Sequence, residues 1–291
     1  MLQAAPMRVI AILATVTAVA CYLRRPRRRR GHPRRIYVMR HGEKTKNTPS
    51  RDNFALALVP EAYDQLKVLC RFLEAHEVAF GTVLASPFLR CRQTASALAP
   101  SHGLEPGLAE TMNVQCGLRD GSGAPGPLET IVGKVAGVVD DTNYAAQPAD
   151  LVGERVAHAA LVAPSELERD EQPANAASME RAAKLTQRLQ ARYAADDAAF
   201  PMLLVAHGCS SHGVIRALAD GGVPTWLNER DCAPMGSMTV LEEVQVPRPA
   251  GQSSGGSWRV VGSMCPKRAP DGVWECCWRA ETARGADPTK L

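Results

Sequence analysis

Three short segments of this chain carry residue types that bind anions and move protons. They are Arg40-His41-Gly42, Ser86-Pro87-Phe88-Leu89-Arg90-Cys91-Arg92-Gln93-Thr94-Ala95 and Leu204-Val205-Ala206-His207-Gly208. A neutral imidazole is a good nucleophile near pH 7, because its ordinary pKa of about 6.5 leaves much of it deprotonated. Arginine's planar fork grips spread-out oxyanion charge bidentately and never deprotonates. Histidine and arginine together suit phosphoryl transfer, in which three equatorial oxygens must be neutralised. That chemistry also needs a carboxyl group to protonate the leaving oxygen and then to activate water. Many acids lie between the second and third segments, Glu105, Glu110 and Asp120 among the first of them.

The elements around these residues place them at strand ends. Ile36-Tyr37-Val38-Met39 reads as a buried strand running into Arg40-His41, and Met202 to Ala206 as another running into His207. Pro60 starts a helix with Leu66, Leu69, Cys70 and Leu73 on one face, followed by a short strand, Val83-Leu84-Ala85. Helices are expected from Leu89 to Leu98, Met179 to Tyr193 and Val214 to Ala219. Met238 to Val246 and Trp258 to Gly262 flank a Gly/Ser-rich stretch as a hairpin. This alternation implies an α/β fold: a three-layer α/β/α sandwich with a mostly parallel central sheet, binding ligands beyond the strands' carboxyl ends. Residues 111–177 are too long for an ordinary loop and read as an inserted cap.

Taken in order, the three segments resemble the motifs of the histidine phosphatase, or phosphoglycerate-mutase-like, superfamily over roughly residues 35–246. The resemblance implies that His41 is the phosphorylated nucleophile and that Arg40, Arg90 and His207 line the phosphate pocket, with His207 most effective as an imidazolium. It places the proton donor at Glu110, with Glu105 and then Asp120 as alternatives. Gly42 and Gly208 would let the backbone approach the phosphate, and the scheme requires no metal and no cofactor. Glu105-Pro106-Gly107-Leu108 and Val139-Asp140-Asp141-Thr142-Asn143-Tyr144 are also similar to the phosphatase domain of the ubiquitin-associated SH3 protein phosphatases. Two departures stand out: Ala62 takes the place of the family's glycine in Leu58 to Gln65, and no cap matches the mutases closely. The expected activity is hydrolysis of phosphate monoesters, on a phosphorylated small molecule or a phosphoprotein. A phosphoglycerate-type mutase and a non-catalytic membrane-tethered binder of phosphorylated ligands are the alternatives.

Other chemistry-bearing residues have simpler readings. Asn47 is taken as a substrate contact, whereas Glu43 and Arg92 are more ordinary as solvated or locally paired charges. His212 falls on a helix surface. Cys91 and Cys209 lie outside any C-x5-R loop and read as small packing residues, and Trp274, Cys276, Cys277 and Trp278 as packing on the sheet edge. The nine cysteines form no C-x-x-C pair and no zinc spacing, so reduced thiols in a cytosol-facing domain are expected.

The net charge of +4 is unevenly spread. Residues 1–35 hold nine arginines and no acid, which leaves the rest of the chain at −5 and argues against a nucleic-acid groove. Val9 to Leu23 is an uncharged run of 15 apolar or small residues, about 22 Å long as a helix. Arg24, Arg25 and Arg27 to Arg30 follow it directly, while only Arg8 precedes it, a bias that keeps the C-terminal side cytosolic. The expected organisation is a single-pass hydrophobic helix as membrane anchor or targeting segment at 1–23, a basic linker at 24–34 and the phosphatase domain at 35–291. The mitochondrial outer membrane is one address consistent with it. Oligomeric state leaves no mark in these motifs.

Overall fold

The computed structural model describes residues 33–46, 52–110, 128–140, 154–168, 176–219, 234–244 and 257–280. The N-terminal apolar run, Asn47 and Asp120 lie outside them. Among the described residues no helix is long and apolar enough to cross a membrane.

The strands are β1 (Arg35–Arg40), β2 (Thr82–Ala85), β3 (Ser101–Leu104), β4 (Glu154–Arg155), β5 (Met202–Ala206), β6 (Met238–Val244), β7 (Ser257–Arg268) and β8 (Trp274–Ala280). The helices are α1 (Pro60–Ala75), α2 (Leu89–Leu98), α3 (Leu128–Val139), α4 (Ala176–Tyr193) and α5 (Gly208–Leu218). The strands form one sheet in the order β4-β3-β2-β5-β1-β6-β7-β8. It is mixed rather than mostly parallel: β4 through β1 run parallel, and β6, β7 and β8 pair antiparallel in turn. The expected hairpin is thus real, but its second strand runs on to Arg268, and β8 adds an edge.

Period-two alternation sorts the central strands between two cores. Ile36, Val38 and Leu204 face Leu185 and Leu189 of α4 and Val214, Ile215 and Leu218 of α5. Tyr37, Met39, Leu203 and Val205 face Ala62, Leu66 and Leu69 of α1 and Cys91 and Ala95 of α2. Because both faces are covered, β5 reads as an unbroken apolar run, MLLVA, buried along its length. A third cluster joins Phe54, Phe88, Leu104 and Ala109 to Ile131, Val135 and Val138 of α3. The described part of the 111–177 stretch therefore holds a helix packed beside the first turn of α2, and a short strand that joins the sheet edge.

The order of strands fixes where a ligand binds. β5 inserts between β2 and β1, so the chain ends beyond three adjacent parallel strands converge. Arg40 stands opposite Ala206 and Ala85 opposite Val205. The ladder continues one residue further, with His41 N donating to Ala206 O (3.0 Å) and Ser86 N to Val205 O (2.9 Å). His41, Ser86 and His207 thus leave the sheet side by side at its carboxyl end, the usual ligand position in such folds.

Candidate active site

Each residue of the site is held by its own element. His41 follows β1, and its ring is almost fully buried at 1% exposure. Its Nδ1 lies 2.7 Å from Gly42 O, a carbonyl that only accepts, so Nδ1 carries the proton and Nε2 keeps the lone pair. Arg90, in the first turn of α2, donates from Nε to that Nε2 at 3.2 Å. Its other nitrogens donate to Asn53 O (2.7 Å) and Glu110 Oε2 (3.0 Å), and one lies 3.1 Å from His207 Nδ1. Phe88 stacks against the guanidinium, 4.9 Å from ring centroid to Cζ. His207, one residue beyond β5, sets Nδ1 3.2 Å from Glu110 Oε2 and Nε2 2.9 Å from Ser86 Oγ. The two imidazoles meet edge to face at 5.2 Å.

The electrostatics follow from burial around one permanent cation. Burial, Arg90 and His207 together hold His41 well below the usual histidine pKa, so its ring is neutral at pH 7. Burial pushes His207 down to about 4, with Glu110 opposing and Arg90 adding to the fall. In this state His207 is neutral, not the imidazolium expected from sequence. Burial disfavours a charged Glu110, but His207 and Arg90 outweigh it and hold the carboxyl well below its ordinary range. The Arg40 charge reaches His207 and contributes to its low pKa. The ligand atoms of His41, Glu110 and His207 lie within 4.8 Å of one another, as a metal site would require. The Arg90 guanidinium donates to His41 and Glu110 and lies 3.1 Å from His207 Nδ1, so a cation already occupies the middle, and an anion is the better guest.

The structure thus brings His41, Arg90, Glu110 and His207 together, with Arg40 at their margin. It takes Glu105 elsewhere. That carboxylate is fully buried and accepts from the backbone N–H of Gly107 (2.9 Å), Leu161 (2.7 Å) and Val162 (3.1 Å), besides facing His158 Nε2 at 3.1 Å. With its oxygens engaged in this way, Glu105 pins residues 158–162 to the body and is no rival for the proton-donor role. Glu43 is exposed, His212 is half-buried on α5, and Arg92 is buried with its charge acting on His102. Cys91 is buried with its thiol pushed up to about 12 by burial, which rules it out as a nucleophile; Cys209 is half-buried. Gly42 serves packing: a Cβ there would stand 3.2 Å from that of Ala62, so the alanine that departs from the family pattern lies against it.

Several supporting residues escaped the sequence reading. Thr94 Oγ1 accepts from Gly42 N (3.1 Å) and donates to Arg90 O (2.7 Å), and Gln93 Oε1 accepts from Leu58 N (2.8 Å). Both sit three and four positions after Arg90, so helical spacing would have put them on the same face. Arg181 of α4 donates to Ala109 O and Glu110 O, each at 3.2 Å, and holds the acid's backbone from 71 residues away, a distance no local pattern spans.

The family model described as "Histidine phosphatase superfamily (branch 1)" matches residues 36–116. This segment is similar to that family. It takes in His41, Arg90 and Glu110, whereas His207 lies beyond it. No curated protein sequence is similar enough to count as a match. Among solved structures, the chain is similar to the ecdysone phosphate phosphatase of Bombyx mori with tungstate, at 16% identity and TM-score 0.48, over 77% of this chain and 96% of that one. A mycobacterial glucosyl-3-phosphoglycerate phosphatase gives 17% identity and TM-score 0.46, over 79% and 97%. A phosphoserine phosphatase mutant of Entamoeba histolytica gives 16% and 0.40, over 78% and 94%. The chemistry of this site rests on its own residues and not on these likenesses.

Burying neutral histidines makes stability depend on pH. His102 is 1% exposed, with neither ring nitrogen hydrogen-bonded among the described residues, and burial, then Arg92 and Arg155, lowers it to about 4. Between about pH 6.5 and 4 the unfolded chain takes up protons that the folded chain refuses, so stability is fully present above that window and is lost as pH falls through it. The urea midpoint is therefore expected to drop from pH 7 to pH 5, and His102→Phe to lessen the drop. A wild-type midpoint that does not move would mean these imidazoles are charged when folded.

Proposed function

We propose that this protein hydrolyses phosphate monoesters through a phosphohistidine on His41. The observation that carries the reading is the His41 ring, buried and neutral, with Nδ1 tied to Gly42 O and the Nε2 lone pair directed at the Arg90 guanidinium. A substrate phosphoryl group would occupy the space that Arg90 commands, with Arg40 and His207 on its remaining oxygens and Asn47 as a further substrate contact. His41 Nε2 attacks phosphorus, the ester P–O bond breaks, and the leaving oxygen takes the proton of Glu110. Glu110 then removes a proton from water, which attacks the phosphohistidine and releases phosphate, restoring His41.

Glu110 is an ionised carboxylate in the empty site, so its role as acid depends on the substrate. A phosphate dianion competes for Arg90 and sets like charge beside the carboxylate, and both effects raise its pKa. Glu110 is thereby loaded with its proton by the group it is to serve. The family match over residues 36–116 and the Arg90-centred pocket both favour a phosphorylated ligand. Either a small molecule or a phosphoprotein meets that requirement.

The test is turnover of para-nitrophenyl phosphate and of an alkyl phosphate by the full chain without added metal. His41→Ala is expected to lose at least about a thousandfold on both. Glu110→Gln is expected to lose about a hundredfold or more on the alkyl ester, but much less on the aryl ester, whose leaving group departs without a proton. Turnover surviving in His41→Ala would contradict the assignment of the nucleophile, and phosphoenzyme decay that needs an acceptor hydroxy acid would favour a mutase.

The reading extends to the N-terminus. The run Val9 to Leu23, closed by its arginines, supports a single-pass membrane anchor at residues 1–23, a basic linker at 24–34 and a catalytic domain at 35–291 facing the cytosol. Residues 111–177 would serve as its cap. Residues 1–35 fused to a fluorescent protein are expected to stay with membranes after carbonate washing, with the fluorophore open to protease on the cytosolic side. Release of the fusion to the medium would contradict the anchor.

A further inference from the structure

His207 faces the pocket with one ring nitrogen and the sheet with the other, and its chemistry depends on which carries the proton. On the pocket side the partners conflict. Nδ1 lies 3.2 Å from a carboxylate oxygen of Glu110, which only accepts, and 3.1 Å from an Arg90 nitrogen, which only donates. The tautomer must be decided at Nε2.

Two groups reach Nε2. Ser86 Oγ stands 2.9 Å away and Cys91 Sγ 3.4 Å, and a thiol is the weaker donor. Ser86 is there because of the sheet: it follows β2, Ala85 pairs with Val205, and Ser86 N donates to Val205 O at 2.9 Å. The hydroxyl therefore lies beside the residue that leaves β5, and both side chains are fully buried at 0% exposure. Phe88 N approaches the same oxygen at 3.5 Å from the acceptor side, which leaves the hydroxyl proton to point at Nε2.

We infer that Ser86 is a positioning residue: its hydroxyl donates to His207 Nε2, fixing the proton on Nδ1 and aiming that N–H into the pocket. In the empty site the N–H meets Glu110; with substrate bound, it meets a phosphoryl oxygen. This rests on the phosphomonoesterase reading for its effect on rate, but not for the tautomer itself. Without the hydroxyl, a proton on Nε2 would turn the Nδ1 lone pair toward the anion, converting an attractive contact into a repulsive one.

The experiment uses the full-length chain in detergent with 15N-labelled histidine, and follows both the side-chain nitrogen resonances at pH 7 and the turnover of para-nitrophenyl phosphate. The expected wild-type signal for His207 is a protonated Nδ1 and an unprotonated Nε2. Ser86→Ala is expected to mix or reverse the two and to lower kcat about tenfold with little change in KM, the signature of an interaction strongest in the transition state. A wild-type Nε2–H tautomer, or a Ser86→Ala protein with unchanged tautomer and kcat, would overturn the inference. A wild type that shows the Nδ1–H tautomer but turns over no phosphate ester would count against the phosphomonoesterase reading, while the hydroxyl's hold on the ring would stand.

Discussion

An arginine with no exposed surface must find its partners inside the protein, because an unpaired guanidinium in the interior costs far more than a fold of this size has in reserve. Arg90 meets that demand with the Nε2 of His41, the carbonyl of Asn53 and the carboxylate of Glu110. The charge that would bind a phosphoryl group is the same charge that organises the site. It adds to the burial that keeps both histidines neutral, and it helps to hold Glu110 ionised against burial while the pocket is empty. On the proposed reading, an entering phosphate dianion would take over the role of counter-ion and change the protonation states around it.

Bringing these partners to one point is a problem of topology, solved by placing β5 between β1 and β2. Residues 41, 86 and 207 then leave adjacent strands at one end of the sheet, with both cores fixing the strands from either face. The surrounding contacts hold the parts that the sheet does not. Thr94 ties the Gly42 backbone to α2, Arg181 grips the peptide carbonyls at Glu110, and Glu105 anchors the 158–162 segment beneath them. Such supports keep a site rigid enough for its hydrogen bonds to act in the transition state without reorganisation.

Much of this was legible in the order of residues, for identifiable reasons. β5 and α2 were readable to the residue because one is a pure apolar run and the other has a sharp start after Ser86-Pro87. His41, Arg90 and His207 were readable through three motifs in register, and Glu110 only through the family's acid position between the second and third, with Glu105 and Asp120 beside it. The missed elements lack such marks. β3 contains a histidine and a glycine in four residues, and α3 carries Gly133 and Gly137 within its apolar spacing, so intrinsic propensity argued against what tertiary packing imposes. The last strand went unassigned although WECCWRA alternates Trp274, Cys276 and Trp278 with Glu275 and Arg279; Cys276 and Trp278 pack inward from this edge, where the sequence reading put them. The protonation states were beyond reach: a sequence names an imidazole but not its burial, and burial is what turned His207 from an expected imidazolium into a neutral ring.

The central claim is that His41 Nε2 itself becomes phosphorylated. Rapid acid-free quenching of the full chain during turnover of a 32P-labelled monoester, followed by peptide mass spectrometry, reads this directly. The account predicts an acid-labile, alkali-stable phosphoryl group on the peptide containing His41, formed as fast as the steady state requires and absent from His41→Ala. Label on any other residue, or turnover with solvent-oxygen incorporation in one inverted step at phosphorus, would contradict it.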